Sequence, residues 1–459
     1  MSNFQGDTIY ALATPHGRSG VAVVRVSGPA AAAGFSTVTG KDIPDSHMAK
    51  LCVLRDPVSH DIIDQALVIY FENPQSYTGE HVVEYHLHGS VAVIEQMLAV
   101  LCTLPDHRMA EPGEFTRRAF ENGKMDLTAA EAVADLIDAQ TSFQKTQALQ
   151  QMGGALANLY ADWTERLKTA LAHAEADIEF PDEDDVDSTI SPVLMRTVET
   201  LCLEIANHLD DDRRGERLRD GVHIAVIGAP NAGKSSLVNA LSQRNVAIVS
   251  DIAGTTRDII EAHLNLGGYP VILSDTAGLR PDQIGQEKQR SQDGTQKEIE
   301  QEYIEGEGIR RALERAHSAD LKLLVFDGTQ EMDTHTLALL DQNSLIVVNK
   351  ADQNLSNIYD DYLHVSAKKG LGLDDLTTQM LAHIAPMMGT RETPSLTRAR
   401  HREALVEAQI CLKRALAADL PELIAEDMRL AIRNIGRITG RVDVEDLLDI
   451  IFHDFCIGK

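Results

Sequence analysis

The sequence predicts a multidomain protein of α/β and α character. It comprises an N-terminal α+β domain, a long helical domain, and a phosphate-loop domain of mostly parallel sheet with helices on both faces, inserted into the helical one. Three observations carry the prediction. Between residues 7 and 120 short β-like runs alternate with turn clusters. From about Leu127 the composition shifts to Ala, Leu, Glu and Gln at three-to-four-residue spacing. Near Gly221 apolar runs begin to alternate with helix-like stretches, and the helical texture returns from about Ser395.

The totals agree. A chain of 459 residues exceeds what one hydrophobic core supports, so two or three domains are expected. The N-terminus lacks a basic segment followed by an apolar one, and no window holds the roughly 18 apolar residues of a membrane span, so the expected location is cytoplasmic, with no membrane partner. The five cysteines are scattered without CxxC spacing, against both a disulfide framework and a zinc site. A formal net charge of −28 opposes sequence-independent binding to nucleic acid, so any polynucleotide partner needs a local basic patch.

Taken in order, residues 1–122 contain the runs "VAVVRVSG" and "ALVIYF" and the turn clusters "ENPQSYTGE" and "PDHRMAEPGE", a compact α+β unit. Residues 123–220 read as long helices, as in "AAEAVADLIDAQ" and "ADWTERLKTALAHAEADI". The acidic stretch "FPDEDDVD" at 180–187 lacks the central glycine of a calcium loop and reads as a solvated connection. Residues 221–388 hold five apolar runs, "HIAVIG", "VILSDTAG", "LKLLVFDG", "SLIVVNK" and "YLHVSAK", the pattern of a largely parallel sheet. Residues 389–459 return to helix through "REALVEAQICLKRAL" and "VEDLLDIIF", and the split helical host brackets the inserted domain.

Inside the inserted domain "GAPNAGKSS" fits G-x-x-x-x-G-K-[ST], with Gly228, Gly233, Lys234 and Ser235 in register, between a strand and a helix. Backbone N–H groups of Asn231, Ala232, Gly233 and Ser236 and the helix N-terminus can cradle phosphates, Lys234 can reach the outer ones, and Ser235 can ligate Mg²⁺. "DTAG" (Asp275, Thr276, Ala277, Gly278) ends a strand, so Asp275 can serve the metal shell and Gly278 the γ-phosphate. "NKAD" (Asn349, Lys350, Ala351, Asp352) ends another, and the Asp352 carboxylate can accept from the amide and exocyclic amine of guanine, which adenine cannot offer. "SAK" (Ser366, Ala367, Lys368) follows the last of the five runs. This ordered set at strand carboxyl ends predicts a GTPase.

Ras-like GTPases place a Gln after the DxxG glycine to orient water, whereas this chain has Leu279, so catalytic help must come from elsewhere. The candidates are Asn231 and "SDIAGTTRD" (Ser250, Asp251, Ile252, Ala253, Gly254, Thr255, Thr256, Arg257, Asp258), whose second Thr can cap Mg²⁺; Arg257 is either a finger or a structural arginine.

The phosphate loop with Asn231, "GTTRD", "DTAGLR", "NKAD", the split helical host and the terminal "CIGK" together resemble the MnmE, or TrmE, family of tRNA modification GTPases. The resemblance implies a Ras-like G domain that uses K⁺ in place of an arginine finger. Asn231, Ser250, Ile252 and Thr255 would hold the ion, and Ser235 with Thr256 would hold Mg²⁺. It implies a homodimer whose G domains meet face to face, and a water-orienting glutamate at Glu305, with Glu302 and Glu307 as rivals. The polar segment between Arg280 and Tyr303 is longer than the usual switch segment and is either a disordered or helical insertion or a regulatory element.

The resemblance further implies that the N-terminal domain is folate-binding-like, taking 5-formyl- or methylene-tetrahydrofolate at Arg25, Glu84, Lys124 and Lys459. His81, His86 and His88 read as core or surface histidines rather than metal ligands. Cys456 is a nucleophile or proton carrier near the one-carbon donor, or else a buried structural thiol. The implied function is tRNA wobble-uridine modification in a heterotetramer with the FAD-containing MnmG. The alternatives are an Era/EngA-like ribosome-assembly GTPase and a non-catalytic nucleotide switch.

Overall fold

The computed structural model describes residues 6–179, 192–244, 261–275, 318–353, 361–389, 394–442, 445–453, 455, 457 and 458. Two compact units emerge: Met1–Ala134, Gln151–Glu199 and Ile410–Lys459 form one, and Asp135–Gln150 with Thr200–Gln409 form the other.

The first unit is built on a six-stranded sheet of β1 (Thr8–Leu12), β2 (Ser19–Ser27), β3 (Ala49–Arg55), β4 (Ile62–Phe71), β5 (Val82–Gly89) and β6 (His107–Met109), in the order β3-β4-β5-β2-β1-β6. All neighbours are antiparallel except β1 and β6. Period-2 alternation sends Val24, Val26, Val68, Val83, Tyr85 and Leu87 to one face, where helices Ala31–Thr39 and Val91–Thr103 cover them with Phe35, Val38, Met97 and Leu101. The opposite face carries Arg25 and Glu84 side by side on β2 and β5. Within the same unit the helix Ala155–Glu179 packs along Pro421–Thr439, burying Tyr160, Trp163, Ile424, Met428 and Ile435.

The chain end returns to this sheet. Phe455 joins Leu127, Ala130, Leu448 and Phe452 in one apolar cluster, and Ile457 forms an antiparallel bridge with Pro112. Gly113 has φ 67°, and a Cβ there would stand 2.6 Å from the Phe452 carbonyl oxygen, so glycine is required where the tail passes.

The second unit holds β7 (Val222–Ile227), β8 (Glu261–Leu266), β9 (Tyr269–Asp275), β10 (Leu321–Asp327), β11 (Ser344–Asn349) and β12 (Leu363–His364), ordered β12-β11-β10-β7-β9-β8. Every neighbouring pair is parallel except β8 with β9. Val222, Ile224 and Val226 face helices Lys234–Arg244 and Leu373–Met388, while Ala225 and Ile227 join Leu324, Phe326 and Val348 on the other face. Among the described residues the sheet thus has six strands where the sequence displays five apolar runs. β8 escapes notice because it is an edge strand in which only Leu264 and Leu266 are buried, leaving no continuous apolar run.

Helix Arg214–Asp220 leads into β7 and is tied on both sides. Arg217 Nε donates to Asp320 Oδ1 at 2.6 Å, and Asp320 Oδ2 accepts from the His223 backbone, fixing the helix to the sheet. Arg402, on the segment leaving the sheet, donates to Leu209 O, Asp211 Oδ1 and Glu216 Oε1 on the segment entering it. A Cβ at Gly215 would stand 2.1 Å from Leu396 O, so these two connections touch backbone to backbone.

Candidate functional site

The carboxyl ends of β7, β9, β11 and β12 lie at one end of the second sheet, the edge where ligands of open α/β sheets bind. After β7 the chain turns through Gly228 to Gly233 and enters the helix Lys234–Arg244. A Cβ at Gly228 would lie 2.2 Å from Val325 O, so glycine lets the loop cross β10. Asn231 sits at φ 66° and Gly233 at φ 91°, the left-handed conformations that turn successive N–H groups toward one concavity. Ala232 is buried, whereas Asn231, Ser235 and Ser236 are exposed.

Lys234 folds its ammonium back onto the loop, donating to Gly228 O at 2.7 Å and Ala229 O at 2.9 Å. The residue is buried, and burial holds its ammonium below the ordinary lysine value while the carboxylates of Asp275 and Asp333 act the other way. Asp275, at the end of β9, is itself 1% exposed. A buried cation whose hydrogen bonds among the described residues go to backbone carbonyls is a labile arrangement that an incoming polyphosphate can reclaim.

Asn349 joins three loops. Its Nδ2 donates to Ala232 O at 2.9 Å, its Oδ1 accepts from Ala367 N at 3.1 Å, and the side chain is buried. Lys350, at φ 66°, pairs with Asp327 at 2.6 Å. Ala351 N donates to Val365 O, which pins the "NKAD" loop to the residue before Ser366. Ser366 Oγ donates to Asp352 Oδ1 at 2.7 Å, and that hydrogen bond holds the carboxyl below the usual aspartate value. Lys369 stands 3.8 Å from the same carboxylate, with Lys368 also contributing positive charge. The structure therefore brings Asn231 through Ser236, Asp275, Asn349 through Asp352 and Ser366 through Lys368 to one edge of one unit.

Several sequence-predicted residues lie outside the described residues: Ser250, Asp251, Ile252, Ala253, Gly254, Thr255, Thr256, Arg257, Thr276, Ala277, Gly278, Leu279, Glu302, Glu305, Glu307, Cys456 and Lys459, as do the acidic stretch 180–187 and the segment after Arg280.

In the first unit Arg25 Nε donates to Glu84 Oε1 at 3.0 Å, with both side chains about one-fifth exposed (20% and 18%). The guanidinium lies over Tyr77 at 5.3 Å and Phe115 at 5.6 Å, an orientation fixed by ring faces as well as by charge. His86 Nε2 is 3.6 Å from Glu84 Oε2, His88 pairs with Asp64, and His81 bonds to the Tyr70 hydroxyl. Lys124 Nζ donates to Pro74 O at 2.9 Å, and its stem lies 3.3 Å from where a Gly79 Cβ would be. Gly458 approaches Leu12 O closely enough that a Cβ would lie 2.2 Å away, so the tail reaches the strand next to that of Arg25.

Sequence reasoning missed Tyr77 and Phe115, for aromatics in a turn cluster and on a short helix carry no local sign of facing an arginine. It also missed the buried network beneath them. Glu114 accepts from both Arg108 and Arg118, and Arg118 also reaches Glu80 and the Asp7 carbonyl. Burial raises the Glu114 carboxyl, but the arginines and the Glu111 backbone outweigh it and hold it below the usual glutamate value. The i,i+4 spacing of Glu114 and Arg118 was the available signal.

Two family models match the chain. The family model described as MnmE helical domain matches residues 127–456, and that described as GTP-binding protein TrmE N-terminus matches residues 8–124. The chain is 51% identical over 457 residues to the tRNA modification GTPase MnmE of Parvibaculum lavamentivorans, covering 99% of this chain and 100% of that one. It is 48% identical over 460 residues to that of Paramagnetospirillum magneticum, with 99% and 100% covered, and 43% identical over 462 residues to that of Rickettsia canadensis, again with 99% and 100% covered.

Proposed function

The chain belongs to the MnmE family of tRNA modification GTPases and hydrolyses GTP, and from that membership we propose that hydrolysis drives a domain rearrangement accompanying modification of tRNA. The product is a carboxymethylaminomethyl group at C5 of the wobble uridine of certain tRNAs. The chain acts as a homodimer and with the FAD-containing MnmG, and a tetrahydrofolate supplies the one-carbon unit. The observation that carries the nucleotide half is Asn349, whose two hydrogen bonds hold the phosphate loop and the Ser366–Lys368 loop in fixed register.

In this reading Lys234 leaves the Gly228 and Ala229 carbonyls for the outer phosphates, and Asp352, oriented by Ser366, selects guanine. The exposed Ser235 hydroxyl, with Thr256, would hold Mg²⁺, and the exposed Asn231 carboxamide, with Ser250, Ile252 and Thr255, would hold K⁺. Oxygen donors in a loop already strung with carbonyls suit both hard cations. Those ions would supply positive charge where phosphate charge builds during transfer, the part an arginine finger plays elsewhere. Glu305 orients the water, and Arg257 assists or braces the loop.

The folate reading is supported by an arginine already held in one orientation. Arg25 is pinned between Glu84 and two aromatic rings, and Lys124 and Gly458 belong to the same unit. Arg25, Lys124 and Lys459 suit the carboxylates, and Glu84 suits the pterin amine and ring N–H.

The test is GTP turnover at equal ionic strength in KCl and in NaCl. At least a tenfold advantage for potassium is expected, and equal rates would refute the alkali-ion part. Intact wobble-uridine modification in cells lacking the protein would refute the pathway.

A further inference from the structure

We infer that Thr116 is a positioning residue for Arg25: its hydroxyl ties down the Tyr77 ring, and that ring holds the guanidinium in the orientation in which it meets a tetrahydrofolate. The inference rests on the folate reading above and adds to it a residue that acts through another.

Tyr77 is fixed at two points. At its backbone end the next residue, Thr78, is fully buried; its hydroxyl shares a hydrogen bond with Ser27 Oγ at 2.7 Å, and its carbonyl accepts from Asn122 Nδ2 at 2.8 Å. Ser27 stands two residues beyond Arg25 on β2, so the turn that carries Tyr77 is tied to the strand that carries the arginine. At the other end the Tyr77 hydroxyl and Thr116 Oγ1 share a hydrogen bond at 2.8 Å. With both ends held the ring has one orientation, and Arg25 Cζ lies over it at 5.3 Å.

Thr116 is itself built in. It is fully buried on the helix Glu114–Glu121, whose first residue accepts from Arg108 at 2.8 Å and from Arg118 at 2.9 Å. The same helix presents Phe115, whose ring lies 5.6 Å from Arg25 Cζ. Both rings against the arginine therefore take their position from one helix, Phe115 directly and Tyr77 through the Thr116 hydroxyl. A buried threonine fills space much as valine does; what valine cannot do is satisfy the phenol. Burial holds that phenol above the usual tyrosine value, with Thr116 and Arg25 acting the other way, so it keeps its proton and needs a partner. Among the described residues Thr116 is that partner. Tyr77 is only half-buried, so a phenol deprived of Thr116 recovers a hydrogen bond by turning its tip toward water, which takes the ring face away from Arg25.

The experiment is calorimetric titration of the full chain with 5-formyl-tetrahydrofolate, comparing wild type, T116V, T116S and T116V/Y77F at a temperature where each is folded. T116V is expected to weaken binding roughly fivefold or more, the scale of one partly shielded cation–π contact. T116S keeps the hydroxyl and should bind within about twofold of wild type. T116V/Y77F should recover most of the loss, because a phenylalanine ring has no polar tip to follow into water. Should T116V not fold, T116A and T116A/Y77F make the same comparison. Wild-type affinity in T116V would overturn the inference. So would an equal loss in T116V and T116V/Y77F, which would make Thr116 a packing residue. Wild-type protein that binds no tetrahydrofolate would overturn the folate reading itself.

Discussion

Asn349 illustrates how one buried amide can set the geometry of a whole site. Its carboxamide has one donor committed to Ala232 O and its acceptor committed to Ala367 N, so Asn349→Ala strands one buried and one part-buried polar backbone group. An unsatisfied buried group costs about 1–3 kcal/mol, which, if the loops lose that much of their binding geometry, predicts a loss of guanine-nucleotide affinity of about fivefold to 150-fold with the fold intact. Titration with a fluorescent GDP analogue checks it; affinity within threefold of wild type would mean that the loops hold register without this residue. The motif was legible because its residues are contiguous. The strut was not, because Ala232 and Asn349 are 117 positions apart and nothing in either tetrapeptide names the other.

Elements follow the same rule, in that what is periodic or contiguous can be read and what is made by packing cannot. The parallel strands declared themselves as buried apolar runs, while β8, half exposed at the sheet edge, did not. Helix Pro192–Leu209 was legible as a helix, but its last turn conceals a titratable group. His208 is 9% exposed, and burial pushes its pKa down to about 4, with the nearby Asp211 opposing and Arg402 and His401 reinforcing the shift. The folded state therefore resists a proton that the unfolded chain accepts near pH 6.5, so this contribution is intact above that pH and is lost as pH falls toward 4. At pH 5 the loss is about 2 kcal/mol. Hydrogen exchange at the end of this helix should accelerate between pH 7 and pH 5 beyond the intrinsic change, and His208→Gln should remove that excess. An unchanged excess in the variant would place the sensitivity elsewhere.

At the scale of the molecule, the chain closes on itself around an insertion. β1 near the beginning and Gly458 at the end meet backbone to backbone, and Pro112 bridges to Ile457, although the entire nucleotide-binding sheet lies between them in sequence. A terminus that would ordinarily fray is instead seated by Phe455, which is 8% exposed among Leu127, Ala130, Leu448 and Phe452. Seating has a purpose distinct from the chemistry of the residue beside it, and two substitutions separate them. Phe455→Ala removes a buried ring at a cost of about 3 kcal/mol and should lower the melting temperature of the first unit while GTP turnover by the second persists. Cys456→Ser should leave that melting temperature within a degree of wild type, spare GTP turnover and abolish wobble-uridine modification. If the serine variant instead melts early and modifies tRNA in proportion to the folded fraction, the thiol is a packing group and the nucleophile must be sought in another residue.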